Sequence, residues 1–261
     1  MKSALGRFFF VAFLNLTALE LEAFSDKTIP VFHQEACPFL EHKFPATSVK
    51  RVIFKGSGRV AIKALPVSVA QLSVKVSGSV KDFKIIQARG GETLVVEQVE
   101  KKGSDEAYCE LYLPPELSVF VSGGSIHLSV DGMHGAQLSV QAGSFKGQGA
   151  SQLKLFRGSF GKAQIDFKEL MGNCEISCGE GELSLSYSPC LVKNSQKKPP
   201  VVAIRQGKGN CTLWVCKECR VFFPKHDPIQ SDLPHYKGSC HLRLLTYSPW
   251  QECKVSVKAL Q

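Results

Sequence analysis

The chain has 261 residues and a formal net charge of +9 at pH 7, with 44% hydrophobic and 21% charged residues. The positive excess points to polyanionic partners such as acidic polysaccharide or anionic lipid headgroups. Its carriers are scattered, the densest group being Lys193, Lys197 and Lys198, which reads as a solvated loop because only clustered charge makes an electrostatic footprint; nucleic acid, also a polyanion, is not expected as a partner of a chain that reads as exported.

Residues 1–25 read as a secretory signal: Lys2 and Arg7 supply the positive end, residues 8–19 the apolar run, and Ala23-Phe24-Ser25 small residues for cleavage. The run is short against the roughly 20 residues of a spanning helix, and Glu20 and Glu22 end it. No Cys stands just after it to carry a lipoprotein anchor. Export to the periplasm, cell envelope or exterior is therefore expected. Removing 25 of the 261 residues leaves 236, enough for one all-β domain with a sizeable core.

Residues 26–48 show little periodicity and form a lead-in carrying Cys37. From residue 49 one phrase returns: apolar-polar-apolar, a Gly/Ser corner, then apolar-polar-apolar again. Three corners align almost letter for letter: Gly56-Ser57-Gly58, Gly179-Glu180-Gly181 and Gly207-Lys208-Gly209. A fourth, at Gly123-Gly124-Ser125, has one glycine moved. Strands such as Leu117-Ser118-Val119-Phe120-Val121 and Cys174-Glu175-Ile176-Ser177-Cys178 precede the corners with period-two alternation, the mark of a half-buried strand. Gly78, Gly143 and Gly158 complete the set of expected corners. Glycine fits there because it turns the chain at little steric cost.

Between these repeats, residues 93–99 and 107–113 read as a hairpin with a charged tip at residues 101–106. Counted between corners, Gly124 to Gly143 is 19 residues, Gly143 to Gly158 is 15 and Gly158 to Gly179 is 21. Periods near 20 belong to solenoids. Residues 49–216 are accordingly assigned to an all-β coil around one core. Residues 217–261, with several short strands and prolines, form a cap over its exposed end.

All ten cysteines lie beyond residue 25, which in an exported chain argues for disulfides. Cys174 and Cys178 on one strand stand roughly 13 Å apart, beyond the about 7 Å limit for a bridge. They read as small buried residues. The candidates for cross-links are Cys37, Cys109, Cys190, Cys211, Cys216, Cys219, Cys240 and Cys253. Cys216-Lys217-Glu218-Cys219 with Cys240-His241 has zinc-like spacing, but a second such pair is missing and the histidines follow no ligand spacing, so no metal is assigned. The βαβ setting of a thioredoxin-like redox motif is also absent.

The Leu-Ser-Val and Ser-Gly units between Leu72 and Tyr187, continued from Val202 to Val215, resemble the bacterial putative-adhesin family, related to the heads of autotransporter-like adhesins. The resemblance covers roughly residues 50–215 and departs from the family in its cysteines and in the insertion near residue 100. It implies a single-stranded right-handed parallel β-helix at a surface or envelope, and carries over no catalytic residue.

No catalytic constellation or cofactor site emerges from the sequence. The Gly-x-Gly corners lead into strands, so no helix N-terminus awaits a phosphate. Asp131, Asp166, Glu175, Glu180 and Glu182 are the carboxylates a glycan-active enzyme on this fold would have to gather into one cleft. The preferred expectation is a non-catalytic binding or structural module for an unknown protein, glycan or anionic surface. Its candidate outward face includes Phe120, Lys154, Phe156 and Arg157.

Overall fold

Side chains that alternate along an extended backbone leave one face to bury and one to hydrate. The computed structural model carries that pattern through sixteen strands and, among the described residues, no helix. Described are residues 39–66, 68–77, 83–88, 90–99, 108–189, 198–223, 229–233, 240–247 and 252–260. The expected signal segment, Cys37, Gly78 and Cys190 lie outside them.

The amino-terminal strands are β1 (Phe39–Pro45), β2 (Arg51–Lys55), β3 (Gly58–Ala64), β4 (Gln71–Ser77), β5 (Phe83–Ala88), β6 (Thr93–Gln98) and β7 (Tyr108–Leu113). Five long strands follow: β8 (Ser118–Asp131), β9 (Gln137–Ala150), β10 (Leu155–Leu170), β11 (Asn173–Tyr187) and β12 (Val201–Val215). The tail adds β13 (Val221–Phe222), β14 (Ile229–Ser231), β15 (Leu242–Thr246) and β16 (Glu252–Ala259). All sixteen belong to one open, mixed sheet whose main order is β1-β4-β7-β3-β8-β9-β10-β11-β12-β15-β13.

From β8 to β12 the strands pair parallel and in register, so that Val119, Leu138, Phe156, Cys174 and Val202 stand side by side. Each long strand changes phase midway. In β11 the buried residues are Cys174, Ile176 and Cys178, then Leu183, Leu185 and Tyr187. The switch from even to odd positions makes two arms meeting at a corner, with one core behind both.

Glycine is required at that corner by close approach. A Cβ added at Gly143 would stand 3.0 Å from the carbonyl oxygen of Gly124, at Gly161 2.7 Å from that of Gly143, at Gly179 2.8 Å from that of Gly161, and at Gly207 2.6 Å from that of Gly179. Successive corners therefore nest in a column, each carbonyl filling the space a side chain would take.

Gly158 is not in that column, which corrects the expected frame. It lies at a buried position of the first arm, and Gly161 makes the turn. With Gly161 the intervals from Gly143 to Gly179 become 18 and 18 instead of 15 and 21. Gly158 is small for a different reason, since a Cβ there would meet the Phe160 ring at 2.3 Å. Phe160 stacks on Phe145 with ring centroids 4.4 Å apart, and Phe156 meets Phe167 edge-on at 4.9 Å. Phe156, expected on the outward face beside Arg157, is instead fully buried, because successive strand residues point to opposite faces and Arg157 takes the outward one.

The expected hairpin of residues 93–113 is also corrected. β6 and β7 do not pair with each other: β6 lies parallel to β2, and β7 parallel to β3. They are the two arms of one rung with the 99–107 segment between them. β2 and β3 form the next rung, flanked on its other side by β8. Sequence order and spatial order therefore differ at this end. The pairs β1/β4, β4/β7 and β5/β6 run antiparallel, where a uniform parallel coil was expected. At the other end β15 and β16 pair parallel with the first and second arms of β12.

Gly179→Ala is expected to lower the unfolding free energy by about 1–3 kcal/mol in urea titrations, the usual cost of overpacking. Gln164→Ala, exposed on the second arm of β10, should change it by less than about 0.5 kcal/mol.

Candidate binding face

Register places outward side chains in columns, one residue per rung about 4.8 Å apart. On the first arms one column runs Ile53, Phe120, Ser139, Arg157, Glu175 and Ala203. Two of the expected face residues, Phe120 and Arg157, thus share a column two rungs apart. Phe120 is half-buried and Arg157 exposed. Lys154 is exposed in the turn before β10, where its backbone N–H donates to the Ala136 carbonyl at 2.8 Å. Arg157 Nε donates to Glu175 Oε2 at 2.8 Å, and that hydrogen bond and charge hold the guanidinium pKa above its ordinary value. The pair is well exposed and contributes at most about 1 kcal/mol.

The second arms present a broader face. One column runs Arg59, His127, Lys146, Gln164, Glu182, Asn210 and Lys254, and beside it lie Lys63 with Asp131, Ala150 with Lys168, and Ser186 with Trp214 and Lys258. Between them stands a column of Ser129, Gln148, Asp166, Ser184, Thr212 and Ser256. At the corner edge lie Ser125, Ser144, Lys162, Glu180 and Lys208. Lysine and arginine outnumber Asp131, Asp166, Glu180 and Glu182 here, and the remainder is mostly hydroxyl and amide. Sequence patterning missed this face because its columns exist only once the rungs are in register.

Each of the five candidate carboxylates interacts locally. Glu175 pairs with Arg157, and Asp166 has Lys168 at 4.0 Å. Asp131 accepts from the Ala150 N–H at 3.3 Å. Glu180 reaches back to Lys162 at 3.3 Å, whereas Glu182 reaches forward to accept from Asn210 Nδ2 at 2.9 Å. Although Glu180 and Glu182 share one strand edge, their head groups thus engage opposite neighbours.

The most constrained charge lies where the face passes onto β7. Glu110 accepts hydrogen bonds from Lys63 Nζ at 2.8 Å, Tyr108 OH at 2.7 Å and Tyr112 OH at 2.8 Å, and its side chain is 10% exposed. Lys75 Nζ sits 4.9 Å from the centre of the Tyr112 ring. Burial alone would raise the Glu110 pKa, but the three donors and the Lys63 charge outweigh it and hold it below the ordinary value.

At the carboxy-terminal end Arg205 lies over Tyr247 at 5.2 Å, Arg243 over Phe222 at 5.5 Å and Lys258 over Trp214 at 5.4 Å. A recess there is lined by Ile204, Gln206, Ile229, Thr246, Tyr247, Cys253 and Val255. Buried Gln206 donates through Nε2 to the carbonyls of Gly181 and Lys208, at 2.6 and 3.0 Å. Its Oε1 has no hydrogen-bond partner among the described residues. Water is the simplest donor for such an acceptor.

The eight described cysteines, Cys109, Cys174, Cys178, Cys211, Cys216, Cys219, Cys240 and Cys253, are free thiols. Cys109 and Cys211 are fully buried on strands, so these two candidates for cross-links are core residues in this structure. Burial pushes the Cys211 thiol up to about 12. No group of three metal-ligating side chains with metal-site geometry occurs among the described residues.

No family model and no curated protein matches the chain. Among solved structures, a putative cell adhesion protein from Clostridium sporogenes is similar, with a TM-score of 0.39 and 12% identity over 86% of this chain and 100% of that one. A putative adhesin from Bacteroides fragilis follows at 0.33 and 11%, over 85% and 97%. A putative lipid binding protein from Parabacteroides distasonis has a TM-score of 0.25 and 10% identity over 84% and 97%. Likenesses of this size carry no argument about function.

A carboxyl whose pKa is lowered by folding stabilises the fold above its unfolded pKa, and that contribution is lost as pH falls through the folded value. Glu110→Gln is therefore expected to be less stable than the parent by about 1–3 kcal/mol at pH 7. The gap should narrow as urea titrations are repeated at pH values below the ordinary carboxylate range.

Proposed function

We propose that the chain is an exported, non-catalytic binding module of the cell envelope or surface. In this reading its stacked rungs form a right-handed parallel β-helix, residues 217–261 cap it, and the second-arm face receives an anionic polymer, with acidic polysaccharide the preferred class. One observation carries the reading: rung-to-rung register sets Lys146, Lys168, Lys208, Lys254 and Lys258 on one face among hydroxyl and amide groups. A linear polyanion meets such a ladder at many weak points, each contact releasing counterions. The +9 net charge favours the encounter.

The test is binding of the mature chain to an immobilised acidic polysaccharide across a salt series. Affinity is expected to fall steeply between about 50 and 200 mM salt, in line with charge screening. The Lys168→Glu, Lys208→Glu, Lys254→Glu triple variant should bind at least tenfold more weakly with an unchanged unfolding midpoint. Equal binding by parent and triple variant, or binding indifferent to salt, would overturn the proposal.

A further inference from the structure

Three cysteines converge beneath the last full rung. The Cys219 N–H donates to the Cys216 carbonyl at 2.9 Å, closing a four-residue turn from Cys216 to Cys219; such a turn holds its ends less than about 7 Å apart. Beyond the turn the chain enters β13, where Val221 pairs parallel with Leu242. The His241 N–H donates to the Arg220 carbonyl at 2.8 Å, holding the two chains together just ahead of β13 and β15. Cys219 and Cys240 each immediately precede this contact, one on each chain. Disulfides span Cα separations of roughly 4.4–6.8 Å, a span the turn allows for Cys216 and Cys219, and Cys240 approaches across the paired chains closely enough for its thiol to act on that of Cys219. Cys219 is buried, whereas Cys216 and Cys240 are half-buried and open to a reagent. The thiols of Cys216 and Cys240 both act on that of Cys219, which burial chiefly pushes up to about 12.

We propose that Cys216, Cys219 and Cys240 form a thiol–disulfide site in which Cys219 is the shared partner, bonded either to Cys216 in its own turn or to Cys240 across the strand pair. The oxidant is a low-molecular-weight disulfide. The thiolate of Cys216 or Cys240 attacks one sulfur of that disulfide, forming a mixed disulfide and releasing one small thiolate. The Cys219 thiolate then attacks the protein sulfur, forming the internal bond and releasing the second small thiolate. Two protein thiols are oxidised, one small disulfide is reduced, and the two protons leave with the released thiols. The remaining cysteine can exchange with the bond and move it from one partner to the other. A Cys216–Cys219 bond closes a tight turn, whereas a Cys219–Cys240 bond ties the chain entering β13 to the chain entering β15.

The proposal concerns the cap alone and stands or falls independently of polyanion binding. Its test is oxidation of the full-length chain with glutathione disulfide, acid quenching, and peptide mapping by mass spectrometry without reduction. The expected products are peptides containing Cys216–Cys219 or Cys219–Cys240 bonds, with Cys109, Cys174 and Cys211 still reduced. Cys219→Ser should abolish both bonds and leave Cys216 and Cys240 as glutathione adducts. Cys216→Ala should drive all of the bond to Cys240, and Cys240→Ala all of it to Cys216. A Cys216–Cys240 bond with Cys219 free in the parent would overturn the proposal. So would a bond from any of the three to Cys37 or Cys190, or three reduced thiols after an exposed control peptide thiol has been fully converted.

Discussion

The structure depends on how closely one rung can lie on the next at its corner. Each corner glycine stands where a carbonyl oxygen of the preceding rung occupies the space of a β-carbon, from Gly143 on Gly124 through Gly207 on Gly179. A side chain at any of these points would push neighbouring rungs apart on both arms at once. The cost would then fall on the packing behind the corner. The Phe145–Phe160 stack and the Phe156–Phe167 contact both sit there, and each buried aromatic contributes about 1.5–3 kcal/mol through burial alone.

Holding the corners in one column also makes the outer surface. Because the arms stay in register, outward residues 18 or 19 positions apart in sequence become immediate neighbours, as Glu180 and Lys162 do. Charge on the second-arm face is thus a property of the stack rather than of any strand. Lysine and arginine outnumber carboxylates in its columns, and this excess underlies the proposed preference for a polyanion. The ends of the stack obey different rules. At the amino-terminal end the rung of β6 and β7 precedes that of β2 and β3 in space but follows it in sequence, and antiparallel strands flank it. At the carboxy-terminal end short strands and three converging cysteines finish the sheet.

Much of the architecture was legible in the sequence. Period-two alternation located the strands from β8 to β12, and the matching phrases at Gly179-Glu180-Gly181 and Gly207-Lys208-Gly209 pair in register. The frame failed where glycine had two uses. Gly158 makes room for an aromatic ring and Gly161 makes the turn, and a glycine count alone cannot tell one from the other. Phe156 was expected outward together with its neighbour Arg157, and alternation allows only one of the two. Pairing order was illegible for another reason: strand alternation says which face is buried and nothing about which strand lies alongside. The neighbours of β6 and β7 are set by long-range packing. Of the candidate face, Phe120, Lys154 and Arg157 are at least partly exposed, but the lysine-rich second-arm surface needed the register before it could be seen.

Register is therefore the claim on which the account turns, and cross-strand nuclear Overhauser contacts between β9, β10 and β11 measure it directly. Parallel pairing with Phe160 between Ala142 and Cys178, and Lys162 between Ser144 and Glu180, predicts amide-to-α-proton contacts linking those residues and their immediate neighbours along both arms. Contacts that instead set Gly158 beside Gly143 and Gly179, or close α-proton to α-proton contacts of antiparallel pairing between β9 and β10, would contradict the corner column and the face built upon it.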